Sequence, residues 1–197
     1  SGYVNIDTTP PVTVATGPTT PQRVTAVVHF SATDAQSGVA ATFYRIDGNA
    51  WQSGTAAIVT APANHSMDGV HTVSYYSVDT AGNVAATSQF KVRIDTTRPL
   101  LRVRVAKHLV VRRGHFMRMR YRARDAGGAC KLLVTISRKA HQRVVRRAYA
   151  FKMNRTGPCR RARLRLTLRR GTYVVRLRLA DTAGNLSAVK SFRVTVK

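Results

Sequence analysis

Hydrophobic and polar residues alternate with period two along several stretches of the chain. Val24, Ala26, Val28, Phe30 and Ala32 interleave with Thr25, Val27, His29 and Ser31. Leu164, Leu166 and Leu168 interleave with Arg163, Arg165 and Thr167, and Tyr173, Val175, Leu177 and Leu179 with Arg176 and Arg178. Successive strand side chains point to opposite faces, so this pattern predicts strands with one buried and one wet face, as in antiparallel sheets. Turn-forming pairs separate the runs at Asp47-Gly48, Asp68-Gly69, Gly127-Gly128 and Arg170-Gly171, as does the pentapeptide Asp-Thr-Ala-Gly-Asn at 79–83 and 181–185. That spacing fits a β-sandwich. No segment sustains a 3.6-residue apolar period with caps, and all eight acidic residues are Asp, so helix-favouring Glu is missing. The expectation is an all-β chain.

The chain also repeats itself. Gly69–Ile94 lies on Gly171–Val196 without a gap at an offset of 102, pairing Val73 with Val175, Phe90 with Phe192 and Val92 with Val194. Phe30–Asp34 lies on Tyr121–Asp125 at an offset of 91, which puts 11 extra residues in the middle of the second copy. Charge sharpens the division. Residues 1–97 hold four of the 33 basic residues (Arg23, Arg45, Lys91, Arg93) and six Asp; residues 98–197 hold 29 basic residues and two Asp. A boundary near Arg98-Pro99 follows, with domains 1–97 and 98–197. No run of about 18 apolar residues and no signal-peptide-like stretch occurs, so no membrane-spanning segment is expected.

Three strings then become informative: Tyr44-Arg-Ile-Asp-Gly-Asn-Ala-Trp51, Asp68-Gly-Val-His-Thr-Val-Ser-Tyr-Tyr-Ser-Val-Asp-Thr-Ala-Gly-Asn83 and Ile94-Asp-Thr-Thr97. They resemble bacterial immunoglobulin-like repeat domains of secreted and cell-surface proteins, commonly from actinobacteria. The resemblance covers nearly all of the first domain and mainly the Asp-Thr-Ala-Gly-Asn hairpin of the second. It implies two tandem immunoglobulin-like antiparallel β-sandwiches, located outside the cell or on its wall, with the signal peptide outside this chain. Such modules serve as spacers, adhesin stalks or accessory parts of large enzymes. Tyr3-Val-Asn-Ile-Asp-Thr-Thr9 repeats Lys91-Val-Arg-Ile-Asp-Thr-Thr97, so residues 1–9 read as strand and linker from an upstream module. The chain is then expected to be the C-terminal part of a longer, monomeric protein.

Candidate sites are few. Cys130 and Cys159 bracket an expected hairpin (Lys131–Ser137, then Gln142–Phe151) and lack further ligands at zinc spacing. In an exported protein a disulfide is the economical reading, two free thiols the alternative. Such a bond would stabilise the fold by roughly 3–4 kcal/mol on the chain-entropy model. In an immunoglobulin-like sandwich the incoming linker, the loop after the second strand and the last hairpin turn gather at one end. That places Asp7, Asp34 and Asp79 together in the first domain, and Asp95, Asp125 and Asp181 in the second. One reading is a calcium ion held by three carboxylates, as in giant adhesins with similar modules. The other is that these residues cap tight turns by accepting backbone N–H bonds, with Arg98, Arg122 and Arg124 competing for the second set. No other cofactor is expected.

Arg102, Arg104, Arg118, Arg120, Arg122, Arg161, Arg163, Arg165, Arg176 and Arg178 occupy outward strand positions. Such a surface attracts polyanions through counterion release and forked guanidinium bonds. The expected partners are an anionic cell-wall polymer, acidic polysaccharide or extracellular DNA. The six His are scattered, and neither a phosphate loop nor a Gly-x-Ser-x-Gly elbow occurs, so no enzyme is expected. His71 aligns with Tyr173 at the tyrosine-corner position, a structural role. Trp51 is expected in the core or at its rim. The alternative sets it, with Tyr75 or Tyr76, against sugar, making the chain an accessory carbohydrate-binding module of an upstream hydrolase; a purely structural adhesin stalk is the third reading.

Overall fold

The computed structural model describes the backbone of residues 6–125, 129–138, 144–152, 160–165 and 168–197, and their side chains except at 116, 118, 129–130, 144–152 and 160–165. The chain divides into two compact units, residues 1–96 and 97–197. No helix among the described residues is long and apolar enough to cross a membrane.

The first unit runs β1 (Val12–Thr16), β2 (Ala26–Thr33), β3 (Val39–Ile46), β4 (Gln52–Ser53), β5 (Ala56–Val59), β6 (Gly69–Asp79) and β7 (Ser88–Ile94). They form two antiparallel sheets, β1-β2-β5 and β4-β3-β6-β7. The alternation of β2 buries Ala26, Val28 and Phe30, which close on Ala57 and Val59 of β5 and on Val73, Tyr75, Val92 and Ile94 from the other sheet. Burying one such aliphatic side chain contributes about 1.5–3 kcal/mol. Val24 continues the apolar pattern but lies outside β2 and is exposed. The β3–β4 turn bonds Asn49 N–H to the Ile46 carbonyl, with Asp47 and Gly48 at φ 51 and 79. Two consecutive positive φ angles make this a type I′ turn, the reason an Asp-Gly pair stands there.

The second unit runs β8 (Leu100–Arg104), β9 (His108–Val111), β10 (Phe116–Arg124), β11 (Ala129–Arg138), β12 (Val144–Lys152), β13 (Arg160–Arg165), β14 (Gly171–Asp181) and β15 (Lys190–Val196). Its sheets are β13-β10-β8 and β12-β11-β14-β15-β9. The connectivity repeats that of the first unit, strand for strand, with two additions. The two-residue β4 becomes the nine-residue β12, long-paired with β11 from Ala129↔Lys152 to Ser137↔Val144, which absorbs most of the inserted middle. β9 is new and pairs in parallel with β15. Leu101, Met117, Met119 and Tyr121 of the smaller sheet meet Leu132, Val134, Val175, Leu177 and Val194 of the larger in one core.

The repeat holds at atomic detail. Gly82 N–H donates to the Asp79 carbonyl and Gly184 N–H to that of Asp181, both at 3.3 Å; Ala85 N–H to Ser77 and Ser187 N–H to Leu179 share 2.9 Å.

Candidate functional site

The predicted aspartates of the first unit meet. One carboxylate oxygen each of Asp7, Asp34 and Asp79 lies within 4.8 Å of the others. N–H donors surround them. Asp7 accepts from Thr9 and Ser37, Asp34 Oδ1 from Gln36, Ser37 and Gly38, and Asp79 from the backbone and side-chain amides of Asn83. The bonds from Ser37, then that from Thr9, hold the Asp7 carboxyl below its usual range. These bonds make the carboxylates turn caps, while the convergence of three carboxylate oxygens is also what a hard cation requires. We expect calcium added to chelator-washed protein to leave the melting temperature within about a degree; a rise of several degrees, as ligand linkage produces, would show an ion bound.

In the second unit Asp125 and Asp181 likewise approach within 4.8 Å. Asp181 Oδ1 accepts from Asn185 N–H at 2.8 Å, while its buried Oδ2 accepts no hydrogen bond among the described residues. Asp95 closes the first unit, 3% exposed, its N–H donating to the Gln22 carbonyl. Cys130 stands in β11 opposite Asp181, and Cys159 lies outside the described residues, as does any bond between them.

His71 and Tyr173 play one role with different chemistry. Tyr173 Oη donates to the carbonyl of Arg169, four residues back, at 2.8 Å; His71 Nε2 reaches the carbonyl of Met67, also four back, at 2.7 Å. His71 Nδ1 lies 2.6 Å from Asp47 Oδ2, so both ring nitrogens face acceptors, an arrangement only the imidazolium satisfies fully. Burial works against that charge but is outweighed by the bonds to Asp47 and Met67 and the attraction of Asp47, which raise the His71 pKa. Asp47, against its own partial burial, is held below its usual range by His71 and the Thr72 N–H. The His71 contribution is fully present below the ordinary imidazole value and is lost as pH rises through the raised one. The Asp47 contribution is lost in acid as its depressed carboxyl protonates. Asp47 is 41% exposed, so solvent screening limits the pair to about 1 kcal/mol. The first unit's melting temperature should therefore fall by several degrees between about pH 5.5 and 8.5. In His71→Tyr, which keeps only the carbonyl bond, it should stay flat.

Trp51 is not part of the core. It lies half-buried on the outer face of the four-stranded sheet, its ring edge-on to Tyr76 at 4.7 Å and capped by the Arg45 guanidinium at 4.6 Å. Phe43 stacks on Tyr76 at 5.2 Å, as their direct cross-strand pairing requires. Tyr75 points the other way, into the core against Phe30. The type I′ turn explains the outcome: it carries the chain back along β3, leaving Trp51 over an outer surface already lined with aromatics.

The arginines divide between two faces. Leu101, Met117, Met119 and Tyr121 are buried, so Arg102, Arg104 and Arg120 are exposed, and Arg122 half-buried, on the outside of β13-β10-β8. Register sets Arg104, Arg120 and Arg161 in one row across three strands, Arg102 opposite Arg122, Arg118 opposite Arg163, and Arg165 opposite Phe116. Directly opposed residues stand about 4.5–5.5 Å apart, where like charges repel. None of the three strands holds an acidic residue. Arg176 and Arg178 are exposed on the larger sheet, on the opposite side of the sandwich.

No family model matches the chain, and no curated protein matches it in sequence. Among solved structures it is similar to the fibronectin(III)-like modules of CbhA from Clostridium thermocellum, with a TM-score of 0.58 and 12% identity over 94% of each chain. The likeness is one of fold, an immunoglobulin-like β-sandwich. Trypsin-activated α2-macroglobulin from Escherichia coli also aligns, over 95% of this chain and 16% of that one, at 13% identity and a TM-score of 0.33.

The two units differ on one equivalent surface. Where the outer face of β6 carries a buried Ser74 and a half-buried Tyr76, that of β14 carries the exposed Arg176 and Arg178; where β3 carries Phe43, β11 carries Leu133. The aromatic face of the first unit and the arginine rows of the second escaped the sequence reading. The offset of 102, applied residue by residue to Tyr76 and Arg178, was the available signal for the first. No local pattern reveals the rows, because register joins strands far apart in sequence.

Proposed function

We propose that the chain is a non-catalytic tandem of extracellular modules in a secreted or wall-associated bacterial protein, and that its second unit holds that protein to an anionic polymer. The observation that carries this reading is the in-register arginine sheet of β8, β10 and β13, with no acid in its strands. A polyanion laid over that sheet relieves its internal repulsion and gains counterion entropy at the same time. Guanidinium forks donate to phosphate and to carboxylate oxygens alike, so wall polymers rich in either, acidic polysaccharide and extracellular DNA are all suited. Sugar stacking on Trp51 is less favoured, because Arg45 already covers one ring face and Tyr76 its edge.

Binding of the full chain to teichoic acid, an acidic polysaccharide and duplex DNA at about 50 and 300 mM salt tests the proposal, with affinity expected to fall on the order of 10²-fold or more. Salt-independent binding, or none at low salt, would overturn it.

A further inference from the structure

We propose that the second unit carries a discrete ligand site apart from its arginine sheet: a recess on the outer face of β14-β15-β9 that takes a sugar bearing a phosphate or sulfate group. The recess is shallow and open on its solvent side, has a volume of about 790 Å³, and is lined by Lys107, His108, Thr172, Ser191, Arg193 and Thr195, with Val174 and Phe192 at its floor. No acid stands among these residues. The site is built on β9, which has no counterpart strand among the described residues of the first unit, where the corresponding edge of β7 carries the isolated pairing of Gln22 with Ile94. Parallel pairing sets His108 opposite Arg193, and the Arg193 N–H donates to the Lys107 carbonyl at 2.9 Å. Antiparallel pairing sets Val174 opposite Arg193 and Thr172 opposite Thr195. Two cationic side chains (Lys107 and Arg193), one imidazole and three hydroxyls thereby line one patch.

Two of the hydroxyls form a chain with His108. His108 Nε2 lies 2.8 Å from Thr195 Oγ1, which lies 3.3 Å from Thr172 Oγ1. When Nε2 carries its proton it donates to Thr195, Thr195 donates to Thr172, and the Thr172 proton is left for a ligand in the recess. A donor hydroxyl beside a guanidinium and an ammonium group matches a tetrahedral oxyanion, whose oxygens only accept. Ser191 and the apolar Val174 offer a hydroxyl partner and a small flat surface, which suit a sugar ring. The outward positions of β8 and β10 repeat Arg along each strand, which suits an extended polymer. The two sites are independent, so failure of polymer binding leaves this one standing.

Amide chemical shifts of the full chain titrated with glucose 1-phosphate, inorganic phosphate and glucose provide the test. Glucose 1-phosphate should move the signals of residues 107–108, 172–174 and 191–195, and glucose should move none. Inorganic phosphate should bind the same residues about fivefold or more weakly, for want of the sugar contacts. Lys107→Ala with Arg193→Ala should weaken glucose 1-phosphate about tenfold, and Thr195→Val about threefold, with melting temperatures unchanged. Substituting Arg102, Arg104, Arg120 and Arg122 should leave this binding alone. Shifts spread evenly over all the arginines, or undiminished binding by the Lys107/Arg193 variant, would overturn the site. Equal affinity for inorganic phosphate would overturn the sugar assignment.

Discussion

Replacing Arg102, Arg104, Arg120 and Arg122 together by Ser is expected to weaken polyanion binding on the order of 10²-fold at low salt. The same substitution is expected to raise the melting temperature of the second unit. Four lost phosphate contacts flatten the dependence of log affinity on log salt by about 3 to 4 units on duplex DNA. Stability moves the other way, because Arg102 faces Arg122 and Arg104 faces Arg120 with no acid in the strands. Relief of two opposed like-charge pairs contributes about 1 kcal/mol, a shift of several degrees. Ordinary surface arginines would give neither effect. Calorimetry beside a binding titration reads both, and a fall in melting temperature with unchanged affinity would show these side chains to be packing groups rather than a binding face.

Leu177→Ala should cost about 2–5 kcal/mol and lower the melting transition of the second unit by roughly 10–20 °C. Leu177 is fully buried in β14 opposite Val134 of β11 and joins the core that both sheets of that unit share. A cavity there cannot be refilled by water, and its neighbours Val175 and Leu179 are already committed to the same core. The first unit has its own core around Val28, Val73 and Val92, so its transition should stay within about a degree, as expected for distant, uncoupled sites. Calorimetry of the variant would show one transition moved and one unmoved. A single transition that shifts as a whole would mean that the two units unfold together.

Much of the architecture is legible in the residues themselves. Strict alternation in Tyr173, Val175, Leu177 and Leu179 determines both the strand and its buried face, because a strand has only two faces and water selects one. The doubled Asp-Thr-Ala-Gly-Asn determines two identical turns, since an Asp that accepts from the N–H four residues on and a Gly at φ 92 or 87 form the bend locally. The aspartate trio of the first unit follows from the topology those turns impose. Trp51 was not legible: hydrophobicity drives a Trp out of water without choosing between a core and an outer face already lined by Phe43 and Tyr76. Nor was the raised pKa of His71, which depends on Asp47 arriving from the β3–β4 turn.

The sequence by itself determined that the fold is all-β, which faces of the alternating strands are buried, that the domain occurs twice, and that the second copy is strongly basic. The tertiary structure alone decided that Arg104, Arg120 and Arg161 share a row, that Arg176 and Arg178 lie on the far side, and that β9 closes a recess beside Arg193. The reason is that alternation is a property of neighbours along the chain, whereas register joins residues tens of positions apart. Which side chains become neighbours there is chosen by the packing of the whole core.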